Sequence, residues 1–201
     1  MAFLKTGFTQ EATPLLRGRG LLMRPPAPSD YAAWAELRHS SRAHLMPWEP
    51  RWSRDELSRW AYRRRLRSSQ RDLSEDLGYS FFIFEAAGSC LIGGLTLSHV
   101  RRGVTQAAAL GYWLGADCTG QGHMRHAVSL AADFAFGDLR LHRLEAACLP
   151  NNEPSIGVLR WNGFQEEGLA RSYLKINGEW RDHLLFALLA DDPRPNGRGG
   201  G

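Results

Sequence analysis

The stretch Gly111-Tyr112-Trp113-Leu114-Gly115-Ala116-Asp117-Cys118-Thr119-Gly120-Gln121-Gly122-His123-Met124-Arg125 constrains the fold more than any other part of the chain. An extended segment runs into a glycine-bearing loop, which runs into a helix over 123–136. That helix carries Met124, Val128, Ala131 and Phe134 or Ala135 along one apolar stripe. A strand, loop and helix joined this closely exclude an all-helical or all-strand chain. Glycines let main-chain amides approach an anion. The helix N-terminus adds unpaired N–H groups and the positive end of the helix dipole. Arg125 and His126 lie in that first turn, where the dipole disfavours cations, and a nearby polyphosphate would offset the cost. Two familiar glycine signatures do not fit. A P-loop needs a Lys after the second glycine, and none follows Gly120 or Gly122. A dinucleotide fingerprint needs a third glycine where Arg125 stands.

The rest of the chain places this junction after a meander. Leu21 to Arg24 reads as a short strand, stopped by Pro25, Pro26 and Pro28. Ser29 or Asp30 caps a helix over 30–39, with Trp34 and Leu37 on one face. Met46-Pro47-Trp48-Glu49-Pro50 is a rigid aromatic loop. Ser53 and Glu56 form a capping box that starts a second helix. Its inward residues are Leu57, Trp60, Ala61 and Leu66, and its outward residues Arg59, Arg63, Arg64, Arg67 and Arg71. Strands over 79–85, 91–99 and 106–114 follow, the first two joined by a Gly88-Ser89 turn. Gly137 ends the helix that begins at His123. A strand over 143–149 stops before Pro150, Pro154 opens a helix to Trp161, and Asn162-Gly163 closes it. Asn177-Gly178 joins strands over 168–176 and 179–189, because both turn residues tolerate positive φ. The expected class is α/β (α+β) with a mixed, mostly antiparallel sheet and flanking helices. It forms one domain over 15–190, with a loose arm over 1–14 and a disordered tail over 191–201.

Composition narrows the function classes. Hydrophobic residues make up 43% and charged residues 23%, so the chain can build a core and is not fibrous or disordered. The late apolar run Leu184 to Ala190 is too short to span a bilayer, and the N-terminus has no apolar signal core. Cys90, Cys118 and Cys148 are widely spaced, with no metal-ligand pattern; reduced thiols, a cytoplasmic location and no metal are expected. A net charge of +4 suits an acidic ligand or partner without identifying it.

Several blocks together resemble a known family. They are Gly111-Tyr112-Trp113-Leu114, Thr119-Gly120-Gln121-Gly122-His123-Met124, Asn151-Asn152-Glu153-Pro154-Ser155, Asn162-Gly163-Phe164 with Glu167-Gly168, Asn177-Gly178-Glu179-Trp180-Arg181-Asp182-His183, and Pro47-Trp48-Glu49-Pro50. Over about residues 20–190 the chain is similar to the GNAT N-acetyltransferases, and within them to the RimJ/RimL branch that acetylates α-amino groups of ribosomal proteins. The resemblance implies a GNAT fold with a V-shaped splay in its sheet. It implies acetyl-CoA as co-substrate, wedged between 112–114 and 145–149. Trp113, Leu114, Thr119, Gly120, Gln121, Gly122, His123, Met124, Arg125, Asn152 and Ser155 are its expected contacts. Thr119 stands where the general pyrophosphate motif has Gln or Arg. Leu159 stands where many relatives have an acidic Tyr, while Ser155 matches the Ser of the branch. Leu174 or its neighbour Tyr173 stands where some relatives have a Glu.

Acetyl transfer to an amine requires a thioester, a neutral amine, and donors for the charge that develops on the carbonyl oxygen. A Leu114 amide would serve as such a donor. Ser155 is the expected proton donor to the leaving thiolate, with Asn152 orienting the cofactor or the Ser loop. A plainer role for both is capping the helix at Pro154. Glu49 is the candidate base, with His99 and Glu179 behind it. Trp48 and Trp52 fit an acceptor wall or plain packing; His142 and His183 read as packing residues. Arg63, Arg64 and Arg67 form a solvated face or steer the protein to ribosomal RNA. The expected function is acetylation of a protein N-terminus, with alanine of a ribosomal protein favoured. The alternatives are a small-molecule amine acceptor, or a non-catalytic CoA-binding or ribosome-docking module. Either a monomer or a homodimer is compatible with the sequence.

Overall fold

The computed structural model describes residues 14–86 and 90–194. Most of the expected N-terminal arm, the Gly88-Ser89 turn and residues 195–201 lie outside the described residues. Eight strands form one sheet: β1 (Leu16–Gly18), β2 (Leu21–Arg24), β3 (Tyr79–Glu85), β4 (Leu91–Arg101), β5 (Ala107–Leu114), β6 (Arg143–Cys148), β7 (Gln165–Ile176) and β8 (Glu179–Leu189). Five α-helices are described: α1 (Tyr31–Ser40), α2 (Arg42–Leu45), α3 (Arg59–Ser74), α4 (His123–Asp133) and α5 (Glu153–Trp161). No helix among the described residues is long and apolar enough to cross a membrane.

The strand order is β1-β2-β3-β4-β5-β6-β8-β7. Every described pair is antiparallel except β5–β6. Two hairpins follow from turn chemistry. Asn177 and Gly178 take φ of 45° and 93°, as their sequence predicts. Arg19 and Gly20 take φ of 53° and 77°, which pairs β1 with β2. β1 and α2, three and four residues long, are additional to the elements expected from the sequence.

The sheet carries a core on each face. On one, α4 and α5 bury Met124, Ala127, Val128, Ile156 and Leu159 against Phe81, Leu95, Leu144 and Phe186. On the other, Trp34 of α1 and Tyr62 and Leu66 of α3 pack on Phe82, Phe84 and Leu91. Burying a side chain of this size contributes about 1.5–3 kcal/mol. Asp30 sits at the start of α1, but its carboxylate turns back to Arg24 (2.7 and 2.6 Å) and to the Ala27 amide (2.8 Å).

Two helix boundaries differ from expectation. The Ser53–Glu56 pair does not start α3: the Ser53 hydroxyl meets the Asp55 and Glu56 carboxylates at 2.8 and 3.2 Å. Instead Ser58 caps α3, its Oγ accepting the Ala61 amide at 3.1 Å. That start buries Ala61, Tyr62 and Leu66 and turns Trp60 outward, 57% exposed, where the sequence predicted it inside. Gly137 does not end α4. The helix closes at Asp133 through one wide turn, in which the Leu139 amide donates to Phe134 O at 3.0 Å.

Candidate active site: an open strand pair beside a helix N-terminus

The parallel ladder between β5 and β6 pairs Ala107–Leu110 with Arg143–Ala146 and then stops. Beyond it the strands part, each still held by its other neighbour, β5 by β4 and β6 by β8. On β5 the amides alternate between the two sides. Gly115 donates to Ile92 O on the β4 side, at 2.9 Å. The Tyr112 and Leu114 amides therefore face the gap, past the last paired residue. Close packing on the other edge fixes this strand end. A Cβ on Gly93 would sit 2.3 Å from Trp113 O, and one on Gly94 would sit 2.6 Å from Trp113 Nε1.

α4 begins at the mouth of this gap. Its N-cap is Gly122, at φ 82°, with no side-chain cap. The first intrahelical bond is from the His126 amide to Gly122 O, so the His123, Met124 and Arg125 amides have no main-chain partner among the described residues. Gly120 has φ 75°, and a Cβ on either glycine would meet nothing within 4 Å. Free donors, a positive helix end and open space fit the diphosphate of acetyl-CoA. Burial lowers the His126 pKa, and neighbouring Arg19, His123 and Arg125 lower it further.

The gap, the loop and α5 enclose a cleft of about 660 Å³. Trp113, Leu114, Thr119, Gly120, Gly122, His123, Met124, Arg125, Asn152, Ser155 and Glu49 all line it. Gln121 does not: its side chain donates to Asp117 O at 3.2 Å. The Thr119 hydroxyl likewise serves its own turn, donating to Ala116 O at 2.9 Å. His99, at φ 51° in a β4 irregularity, is exposed and does not line the cleft. Glu179 lines a neighbouring cavity of about 580 Å³.

Asn152 is the N-cap of α5, its Oδ1 accepting the Ser155 amide at 3.2 Å. The capping role therefore uses the Ser155 main chain and leaves its hydroxyl free for other work. That hydroxyl lies 2.9 Å from the Tyr112 hydroxyl. Burial pushes the Tyr112 pKa well above its ordinary value, and the phenol stays protonated. Cys148 lies on the same wall, its thiol pushed up to about 11 mainly by burial. His183 is buried at the cleft, with Nδ1 3.0 Å from Arg181 O.

Glu49 enters the cleft from the aromatic loop. Both its oxygens are occupied: Arg38 donates to Oε1 and Oε2 at 2.9 and 2.6 Å, and Trp52 Nε1 donates to Oε2 at 2.8 Å. The buried Arg38 guanidinium lies over the Trp52 and Trp113 rings, 4.5 and 4.9 Å from their centroids. Glu49 O also accepts the Asn177 amide at 2.9 Å, tying the loop to the β7–β8 hairpin. Arg38 and Tyr112 are site residues beyond those expected from the sequence. Arg38 sits in a helical run with no local signal, and the Tyr112 partner is 43 residues away.

Residues 20–165 match the family model described as an acetyltransferase (GNAT) domain. The chain is 36% identical over 178 residues to "Probable N-acetyltransferase YjcK" of Bacillus subtilis, covering 89% of this chain and 98% of the relative. The crystal structure of ribosomal-protein-S5-alanine acetyltransferase from Vibrio fischeri superposes with a TM-score of 0.83 at 33% identity, covering 90% of this chain and all of that one. Mycobacterium smegmatis RimJ in complex with CoA-disulfide superposes with a TM-score of 0.82 at 33% identity, covering 89% and 87%.

Proposed function

The chain belongs to the GNAT acetyltransferase family, whose acyl donor is acetyl-CoA, and from this we propose that it acetylates the α-amino group of a protein N-terminus, alanine of a ribosomal protein being the favoured acceptor. Transfer is direct, with both substrates bound together. The observation that carries this reading is the end of the β5–β6 ladder at Leu110 and Ala146, beyond which the Leu114 amide faces a cleft also lined by the start of α4 and by Ser155. The similarity to proteins named as S5-alanine acetyltransferases supports the choice of acceptor.

Each group then has a role. The His123, Met124 and Arg125 amides hold the diphosphate, with Gly120 and Gly122 giving close access. The Leu114 amide donates to the thioester carbonyl oxygen, where negative charge develops. The Ser155 hydroxyl gives a proton to the departing thiolate sulfur and regains one from the water that took up the amine proton, while the Tyr112 hydroxyl, 2.9 Å away and still protonated, orients it. Holding both reactants in line supplies about 7–11 kcal/mol in favourable cases. An α-amine, with pKa about 7.7–8.0, is neutral in roughly a tenth of molecules at pH 7, against under about 0.1% for a lysine. The acceptor therefore loses its proton to water without a strong base. Glu49, whose oxygens already take three donors, anchors the loop that walls the acceptor side. This acceptor places the protein in the cytoplasm.

CoA release with a peptide carrying N-terminal alanine, and none with polyamines or aminoglycosides, is the expected result. Turnover on free amines alone would move the assignment to a small-molecule acceptor. Tight CoA binding with no turnover on any amine would move it to a non-catalytic module.

A further inference from the structure

The outer face of α3 carries a pattern that acetyl transfer does not use. Measured around the helix from Trp60, Arg64, Arg67 and Arg71 all fall within about 40°, and Arg63 lies just beside them. The buried residues Tyr62 and Leu66 occupy the opposite side. The stripe from Trp60 to Arg71 is about 16 Å long at 1.5 Å per residue. Trp60 is 57% exposed, and the Arg64 guanidinium lies 4.7 Å from its ring centroid. Asp72 is the one acid in α3, and it pairs with Arg71 at 3.6 Å. Arg65 is turned away to Glu56 and Arg59 to the Tyr31 ring. Arg63 and Arg67 have no hydrogen bond or ion pair among the described residues.

We propose that this face binds single-stranded RNA, with Trp60 as a base-stacking platform and Arg63, Arg64, Arg67 and Arg71 as phosphate contacts. The chemistry chooses the partner. A row of cations with few acids attracts a polyanion, and arginine forks match phosphate geometry. An exposed indole set among them adds a surface on which any base can stack, the combination used by sequence-tolerant single-strand binders. A bilayer would need an apolar face, and Trp60 is the stripe's one apolar side chain. The proposal is independent of the acceptor chosen above.

The test is fluorescence anisotropy with a fluorescein-labelled 12-nucleotide oligouridine RNA. Saturating acetyl-CoA keeps the cleft filled. Four phosphate contacts predict a log–log salt slope of about −3. Trp60→Ala should weaken binding about tenfold and Trp60→Phe much less, because the phenyl ring still stacks. The triple variant Arg63→Glu, Arg64→Glu, Arg67→Glu should abolish binding. All three positions are outside the cleft, so circular dichroism melts and turnover on an alanine peptide should match the parent and report intact folding. RNA binding unchanged in the triple variant overturns the proposal. So does equal affinity for polyglutamate, which would make the face a generic anion site. Binding to phosphatidylserine vesicles but not to RNA would reassign it to a membrane. Equal RNA affinity in Trp60→Ala would remove the stacking role.

Discussion

Arg38 grips Glu49 with both guanidinium arms, at 2.9 and 2.6 Å, while its guanidinium lies over the rings of Trp52 and Trp113. A helix residue thereby fixes a loop residue at the edge of the cleft. Side-chain exposures of 8% and 20% keep the pair largely out of water. Glu49→Ala leaves the Arg38 charge buried without its partner, a change that costs about 3–5 kcal/mol. The expected drop in melting temperature is roughly 6–20 °C, with acceptor KM raised more than kcat is lowered. Unchanged melting together with loss of the acidic limb of kcat/KM would instead make Glu49 the proton acceptor.

Ser155 and Asn152 divide the work at the start of α5, and mutation can separate the two. Ser155→Ala keeps the capped main-chain amide and removes the hydroxyl. Turnover should fall at least tenfold, about 1.4 kcal/mol of barrier, with acetyl-CoA affinity and melting nearly unchanged. Asn152→Ala removes the cap, costing about 1 kcal/mol, and should lower melting by roughly 2–4 °C. Normal turnover in Ser155→Ala would take that hydroxyl out of the mechanism.

Gly93 and Gly94 let β4 lie against the Trp113 backbone and ring. Gly93→Ala would place its Cβ 2.3 Å from Trp113 O and 2.8 Å from Leu114 Cδ2. A main-chain atom cannot yield as a side chain can, so β5 must shift at the point where the Leu114 amide faces the gap. Overpacking of this kind costs about 1–3 kcal/mol. We expect acetyl-CoA affinity, read by calorimetry, to weaken at least fivefold. Gly115→Ala should be milder, since its nearest contact is the end of the Leu37 side chain at 2.4 Å. Equal affinities in the two variants would count against this account of the strand end.

Cys148 offers a pH readout of cleft burial. Its thiol titrates at about 11, raised mainly by burial. The reactive thiolate is therefore about 0.1% of the population at pH 8, growing about tenfold per pH unit up to the pKa. Iodoacetamide followed by peptide mass spectrometry should label exposed Cys90 at pH 8 and spare Cys148. Labelling of Cys148 should accelerate steeply between pH 8 and 10, and acetyl-CoA should suppress it. Equal rates at Cys90 and Cys148 at pH 8 would mean that the cleft is more open than its lining indicates.

Local chemistry made much of this molecule legible from sequence. The Asn177-Gly178 turn, the extended runs at 79–85 and 106–114, the Asn152 cap and the free helix start at Gly122 each rest on neighbours in the chain. Their conformational preferences act over a few residues. The Ser53–Glu56 box shows where local signals compete. Ser58 offers an equally good cap five residues later, and burial of Tyr62 and Leu66 against the sheet selects it, which turns Trp60 to solvent.

By itself, then, the order of residues determined a mixed sheet with a glycine loop opening a helix, and family blocks that mark an acetyl-CoA enzyme. The folded chain decided the rest: the Arg38–Glu49 clamp, the Tyr112–Ser155 contact and the aromatic place in the arginine stripe. Those depend on which distant surfaces meet and what water is expelled between them. No window of neighbouring residues encodes such a meeting, because its energy is gained only when the whole sheet closes.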